Sequence, residues 1–134
     1  MPGQNYDILV IDDQAGVRWL ICEALIDEGY SIDQAASGSE ALARLGRNDY
    51  RLILLDVKMP GMNGFEILEK IKKFDSDVPV VMMTAYGELD IEQEVADGAR
   101  PVNYISKPFD LDDLRNIVRR YLSNQNDVDF TAST

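Results

Sequence analysis

Apolar residues in this chain come in two rhythms that alternate along its length. Short continuous runs mark strands buried on both faces: "DILVIDD" over 7–13, "RLILLD" over 51–56, "VPVVMMT" over 78–84, and the weaker "SIDQAA" over 31–36 and "VNYIS" over 102–106. Between them, apolar residues recur at helical spacing. Val17, Leu20, Ile21, Ala24 and Leu25 form one such face, with Gly29 as its stop. Ala41, Leu42 and Leu45 form a second, behind Ser37 or Ser39 as cap. Phe65, Ile67, Leu68 and Ile71 form a third over 64–74, with lysines late, where the helix dipole favours them. A polar, acidic helix is predicted over 88–98. A final amphipathic helix over 110–122 carries Leu111, Leu114, Ile117, Val118 and Leu122 behind Asp110. Residues 123–134 are polar and predict a flexible tail. Five strands alternating with five helices predict an open parallel α/β sheet, covered on both faces, as one domain over 1–122.

In such sheets ligands bind beyond the carboxyl ends of the strands. The first strand ends in Asp12 and Asp13, the third in Asp56, the fourth in Thr84, and the fifth in Ser106 and Lys107 before Pro108. Taken singly, each has an ordinary explanation as a turn former, helix cap, strand residue or surface charge. Together they bring three carboxylates, a hydroxyl and an ammonium to one rim. Like charges so close repel unless a cation compensates. Carboxylates with waters suit Mg²⁺, or Mn²⁺ in its place, and a carboxylate can also attack phosphorus to give an aspartyl phosphate. Asp56 is the expected nucleophile, because its strand is the most apolar and central. Asp12 and Asp13 are better placed as metal ligands. The Pro- and Gly-rich turn "MPGMNG" after Asp56 lets the backbone fold round the site.

Net charge narrows the partners. The chain of 134 residues carries a formal charge of -11, which opposes nucleic acid and suits a metal cation or a basic partner surface. The single cysteine excludes an internal disulfide and points to a reducing compartment. No run is long and apolar enough for a membrane span, and the first residues lack the features of a signal peptide. A cytoplasmic protein is expected. The fourth predicted helix shows no large apolar stripe, so a monomer is expected too.

The acidic pair at 12–13, "LLDVKMPGMNG" at 54–64, "MMTA" at 82–85 and "SKPF" at 106–109 resemble response regulator receiver domains, over roughly residues 6 to 122. The resemblance implies strand order 2-1-3-4-5 and Mg²⁺-dependent phosphorylation of Asp56 by a sensor histidine kinase. It implies Asp13 as the more direct metal ligand of the pair and the Lys58 carbonyl as a further one. Thr84 matches the switch hydroxyl, Lys107 the phosphate-binding lysine and Tyr104 the aromatic switch position, with a cis bond before Pro108. Within the family, "DDQAGVRWLICEALIDEGY" and "DVKMPGMNGFEILEKIK" are similar to stand-alone receivers of the sporulation phosphorelay. That similarity implies a carrier that passes phosphate to a histidine phosphotransferase. It implies a partner face of Gln14, Gly16, Val17, Arg18, Lys58, Pro108 and Phe109. The chain contains no histidine, so a partner must supply the phosphohistidine. It is expected to be a carrier rather than an enzyme, with at most slow self-dephosphorylation. The stretch "GARPVNYISKPF" is longer than the family pattern between Gly98 and Lys107, which bears on how Tyr104 couples to the site.

Three other classes compete. A receiver of a longer transcription regulator shares "MTAYGELD" and "KPFD". A Mg²⁺-dependent aspartyl-phosphate phosphatase would want an acid two residues after a first-strand nucleophile, where this chain has Asp12, Asp13 and then Gln14. A flavodoxin would want a hydroxyl- and glycine-rich loop in place of "DDQAG".

Overall fold

A computed structural model of the protein describes residues 3–59, 61, 64–75, 77–84 and 103–133, with backbone alone for 123–133. The elements are β1 (Asn5–Ile11), α1 (Ala15–Ile26), β2 (Ile32–Ala35), α2 (Gly38–Leu45), β3 (Asp49–Asp56), α3 (Gly64–Phe74), β4 (Val80–Thr84), β5 (Asn103–Ser106) and α4 (Leu111–Ser133). The helix expected over 88–98 lies outside the described residues.

All strand pairs are parallel and the order is β2-β1-β3-β4-β5, as expected. Alternation along the strands divides the core in two. Leu9, Ile11, Ile53, Leu55, Val80 and Met82 face Phe65, Ile67, Leu68 and Ile71 of α3. Ile8, Val10, Leu52, Leu54, Val81 and Met83 face Ile21 and Leu25 of α1 and Leu114, Val118 and Leu122 of α4. From Ile8 in β1 and from Leu52 in β3 both faces are buried, which is why these stretches read as continuous apolar runs rather than alternating ones.

Local chemistry sets the boundaries. Ser37 caps α2 by accepting from the Glu40 N–H at 3.1 Å. Gly29 follows α1 at φ +96°, a conformation that costs other residues a steric clash with Cβ. β1 begins at Asn5, earlier than the apolar run, because Asn5 and Tyr6 pair with Asp49 and Tyr50 of β3. It ends at Ile11, so Asp12 and Asp13 stand just past the strand. The backbone of α4 stays helical past Leu122, where the apolar spacing stops, to Ser133; no Gly or Pro lies between them to end it.

Candidate functional site

The reversal of strand order lies between β1 and β3, and the acids stand at its carboxyl edge. Asp12 is fully buried and Asp56, the last residue of β3, is 5% exposed; Asp13 is exposed. The three carboxylates offer oxygens that all lie within 4.8 Å of one another. Lys107 joins them: its Nζ lies 2.7 Å from Asp12 Oδ2 and 3.4 Å from Asp56 Oδ1. The Lys107 N–H donates to the Thr84 carbonyl at 2.6 Å, which ties the end of β4 to the turn after β5. Thr84 closes β4 with its side chain buried.

Two contacts that sequence reasoning missed fix Asp12. The Gln14 N–H donates to Asp12 Oδ1 at 2.9 Å, leaving Oδ2 for Lys107. Arg18 turns back on the fold: Nη1 donates to the Asp12 carbonyl at 2.7 Å and Nε to Gln34 Oε1 at 3.0 Å. The first is the local turn an aspartate makes with the backbone two residues on, whereas no spacing rule signals the second, which depends on how α1 sits over the end of β1.

Electrostatically the site is short of positive charge. Burial, and then the Asp12 carboxylate, push the Asp56 carboxyl up to about 6, against the pull of Lys107 and of the Lys58 N–H. One ammonium among three carboxylates leaves a hard-oxygen donor set with an exposed member, Asp13, and this set fits a small divalent cation.

The turn after Asp56 works through two glycines. Gly61 takes φ +86°. Gly64 starts α3 hard against the strand, its N–H donating to the Val57 carbonyl at 2.7 Å; a Cβ there would lie 2.7 Å from Val57 Cα. The Lys107–Pro108 peptide is cis, as expected.

Beside Lys107 opens a groove of about 450 Å³, lined chiefly by Gln14, Val17, Leu20, Ile21, Pro108 and Phe109. Four of the expected partner residues meet there, and Leu20 and Ile21 join them. Gly16 is exposed on α1 with open space around it, and Lys58 is exposed after β3; with Arg18, they lie outside the groove lining. Tyr104 lies on β5 and packs against the α2–α3 side of the core. Residues 85–102, which hold most of the long stretch before Lys107, lie outside the described residues.

Residues 8–119 match the response regulator receiver domain. The chain belongs to that family. It is 46% identical over 119 residues to Sporulation initiation phosphotransferase F of Bacillus subtilis (strain 168), covering 88% of this chain and 94% of that one. It is 36% identical over 107 residues to the Transcriptional regulatory protein TcrA of Mycobacterium tuberculosis, covering 80% of this chain and 42% of that one. Among solved structures, a CheY-like receiver domain protein from Methanospirillum hungatei superposes with a TM-score of 0.81 at 29% identity, over 95% of this chain and 98% of that one. Among the described residues no helix is long and apolar enough to cross a membrane.

Proposed function

We propose that this receiver domain is a phosphoryl carrier in a phosphorelay: Asp56 takes the group from a phosphohistidine of a sensor histidine kinase and passes it to a histidine phosphotransferase. The observation that carries this reading is the buried Asp56 carboxylate, 3.4 Å from the ammonium of Lys107, a residue that also lines the groove formed with Val17, Pro108 and Phe109. Its similarity to Sporulation initiation phosphotransferase F supports the relay over a receiver attached to an output domain.

In the forward step an Asp56 oxygen attacks phosphorus in line, an O–P bond forms, and the N–P bond breaks with its electron pair returning to the imidazole. The resulting acyl phosphate is a mixed anhydride, reactive enough to be taken by a second histidine. Lys107 pairs with the phosphoryl oxygens as it leaves Asp12, and the Thr84 hydroxyl donates to another, so that charge is met by groups already in position. Tyr104 answers the movement of Thr84. Asp12, Asp13, Asp56 and the Lys58 carbonyl would hold Mg²⁺, or Mn²⁺ in its place, and the ion would supply charge neutralisation for the phosphoryl oxygens. The apolar groove keeps water from the anhydride while the partner is seated, and loss of phosphate by the carrier alone is slow. The protein works as a monomer in the cytoplasm.

Val17 separates the docking surface from the chemistry. Val17→Ala should slow phosphotransfer from a cognate phosphorylated protein by about tenfold, the effect of losing one well-packed contact. Phosphorylation by acetyl phosphate should stay near wild type, because a small donor needs only the site. Equal slowing with both donors would make Val17 a core residue whose loss disturbs the site. No slowing with either would remove the groove from the relay. Asp56→Asn, followed by intact mass, checks the acceptor: phosphate retained on the variant refutes the assignment.

A further inference from the structure

In a chain of formal charge -11, the half-buried Arg18 guanidinium is aimed at two neutral oxygens. Among the described residues it forms no ion pair. Its acceptors belong to neighbouring strands: the Asp12 carbonyl, just past β1, at 2.7 Å, and Gln34 Oε1, in β2, at 3.0 Å. β2 is an edge strand held through β1 alone, and the Asp12 N–H closes that pairing by donating to the Ala35 carbonyl at 3.1 Å. The Arg18 fork therefore spans the two strand ends on which the acidic pair stands.

The two acids of the pair are held differently. Asp12 Oδ1 accepts from the Gln14 N–H and Oδ2 from Lys107. Asp13 is exposed, and its carboxylate has no hydrogen-bond partner among the described residues, so its backbone alone orients it. That backbone begins in the Asp12–Asp13 peptide. A peptide is planar, so whatever holds the Asp12 oxygen also holds the Asp13 nitrogen and Cα. Arg18 is what holds that oxygen.

We propose that Arg18 is a positioning residue for the metal site: anchored on Gln34, it locks the Asp12–Asp13 peptide and so aims the Asp13 carboxylate toward Asp12 and Asp56 before an ion arrives. A ligand fixed in advance by an outer hydrogen bond binds its metal more tightly than one that must be ordered on binding. This role rests on the reading of the three carboxylates as a Mg²⁺ site and is independent of what docks on α1. Charge and geometry pull in opposite directions here. A guanidinium beside an acidic cluster weakens its attraction for a cation, so by charge alone Arg18→Ala would tighten Mg²⁺. Loss of the lock weakens it.

The test follows Mg²⁺ binding to the isotope-labelled full chain through the amide chemical shifts of Asp13 and Gln14, at constant ionic strength, with the urea midpoint in chelator measured beside it. Arg18→Ala should raise the dissociation constant by about tenfold, the lower end of the effect of removing an outer partner of a metal ligand. Gln34→Ala, at an exposed position and with no change of charge, should raise it too, but less, since the Asp12 contact remains. The double variant should be no worse than Arg18→Ala, because both changes act through one side chain. Tighter binding in Arg18→Ala would overturn the proposal and leave Arg18 as a charge. An unchanged constant with a lowered urea midpoint would overturn it as well, leaving a bracket for the fold. So would an unchanged constant in Gln34→Ala, which decides alone if Arg18→Ala shows no cooperative urea transition. Asp13→Ala separates this role from the site itself. If that variant binds Mg²⁺ as wild type does, the metal reading fails. If it loses the ion while the Arg18 and Gln34 variants bind as wild type does, only the positioning role fails.

Discussion

Asp56 shows how a single side chain answers to opposing neighbours. Its carboxyl is pushed up to about 6 by burial and by Asp12, although Lys107 pulls the other way. Between about pH 4 and pH 6 the folded, metal-free protein therefore keeps a proton that the unfolded chain has released. Where the native state binds more protons, stability falls as pH rises, so this group's contribution declines through that window and is least above it. Asp56→Asn cannot titrate and cannot leave a charge buried. In chelator, its urea midpoint should lie above wild type at pH 7, and the two proteins should converge toward pH 4. Parallel midpoint curves across that range would show that Asp56 is not the titrating group. Lys107 is the counterpart. Its removal leaves the buried Asp12 carboxylate with only the Gln14 N–H, and Lys107→Ala should cost about 1–3 kcal/mol in chelator, as for a buried polar group losing its partner. Added Mg²⁺ should recover more stability in this variant than in wild type, because the ion takes over charge compensation. An unchanged unfolding midpoint in chelator would reduce Lys107 to a surface charge.

At the scale of elements, much of the fold could be read from the sequence because burial on both faces leaves a continuous apolar signature. Leu52 to Leu55 of β3 and Val80 to Met83 of β4 could hardly lie elsewhere than in a central parallel sheet. The strand-end residues Asp56, Thr84 and Lys107 followed from where those runs stop. What could not be read were contacts set by how elements sit against each other. One is Arg18 reaching back to the Asp12 carbonyl. Another is the buried Tyr50 hydroxyl donating to Asp33 at 2.6 Å, with Arg44 at 3.2 Å from the same carboxylate, which pins α2 to β2 and β3. A third is the part played by each glycine. Two glycines look alike in sequence and differ in their surroundings. At Gly64 a Cβ would meet the backbone of Val57 and Asp56, whereas at Gly16 nothing lies within 4 Å. Gly64→Ala should push α3 off the end of β3 and cost about 1–3 kcal/mol, the range for overpacking. Gly16→Ala should leave the melting temperature level or raise it, since Ala is favoured over Gly in a helix by about 1 kcal/mol. A thermal melt of each variant distinguishes the two, and equal destabilisation would mean the start of α1 is as tightly held as the start of α3.

Across the whole molecule the formal charge is -11, and at one rim three carboxylates converge with one ammonium to answer them. A cation that binds this rim in the native state alone must stabilise the fold, by RT ln(1 + [L]/Kd), about 2.7 kcal/mol when the free ion stands near a hundred times its dissociation constant. For a domain of this size each kcal/mol moves the melting temperature by about 3–5 °C. Asp13 decides whether this stabilisation comes from the site or from general screening of an acidic protein. It is exposed and outside the strand, so Asp13→Ala should change the stability of the metal-free protein little. It also removes the carboxylate most open to an incoming ion. The expected outcome is a Mg²⁺-dependent rise in melting temperature for wild type that is lost, or needs far higher Mg²⁺, in Asp13→Ala, while sodium chloride at matched ionic strength acts on both proteins alike. A Mg²⁺ shift of the same size and midpoint in both would mean that the ion screens the surface as a whole, and the three carboxylates would then be a charge cluster rather than a metal site.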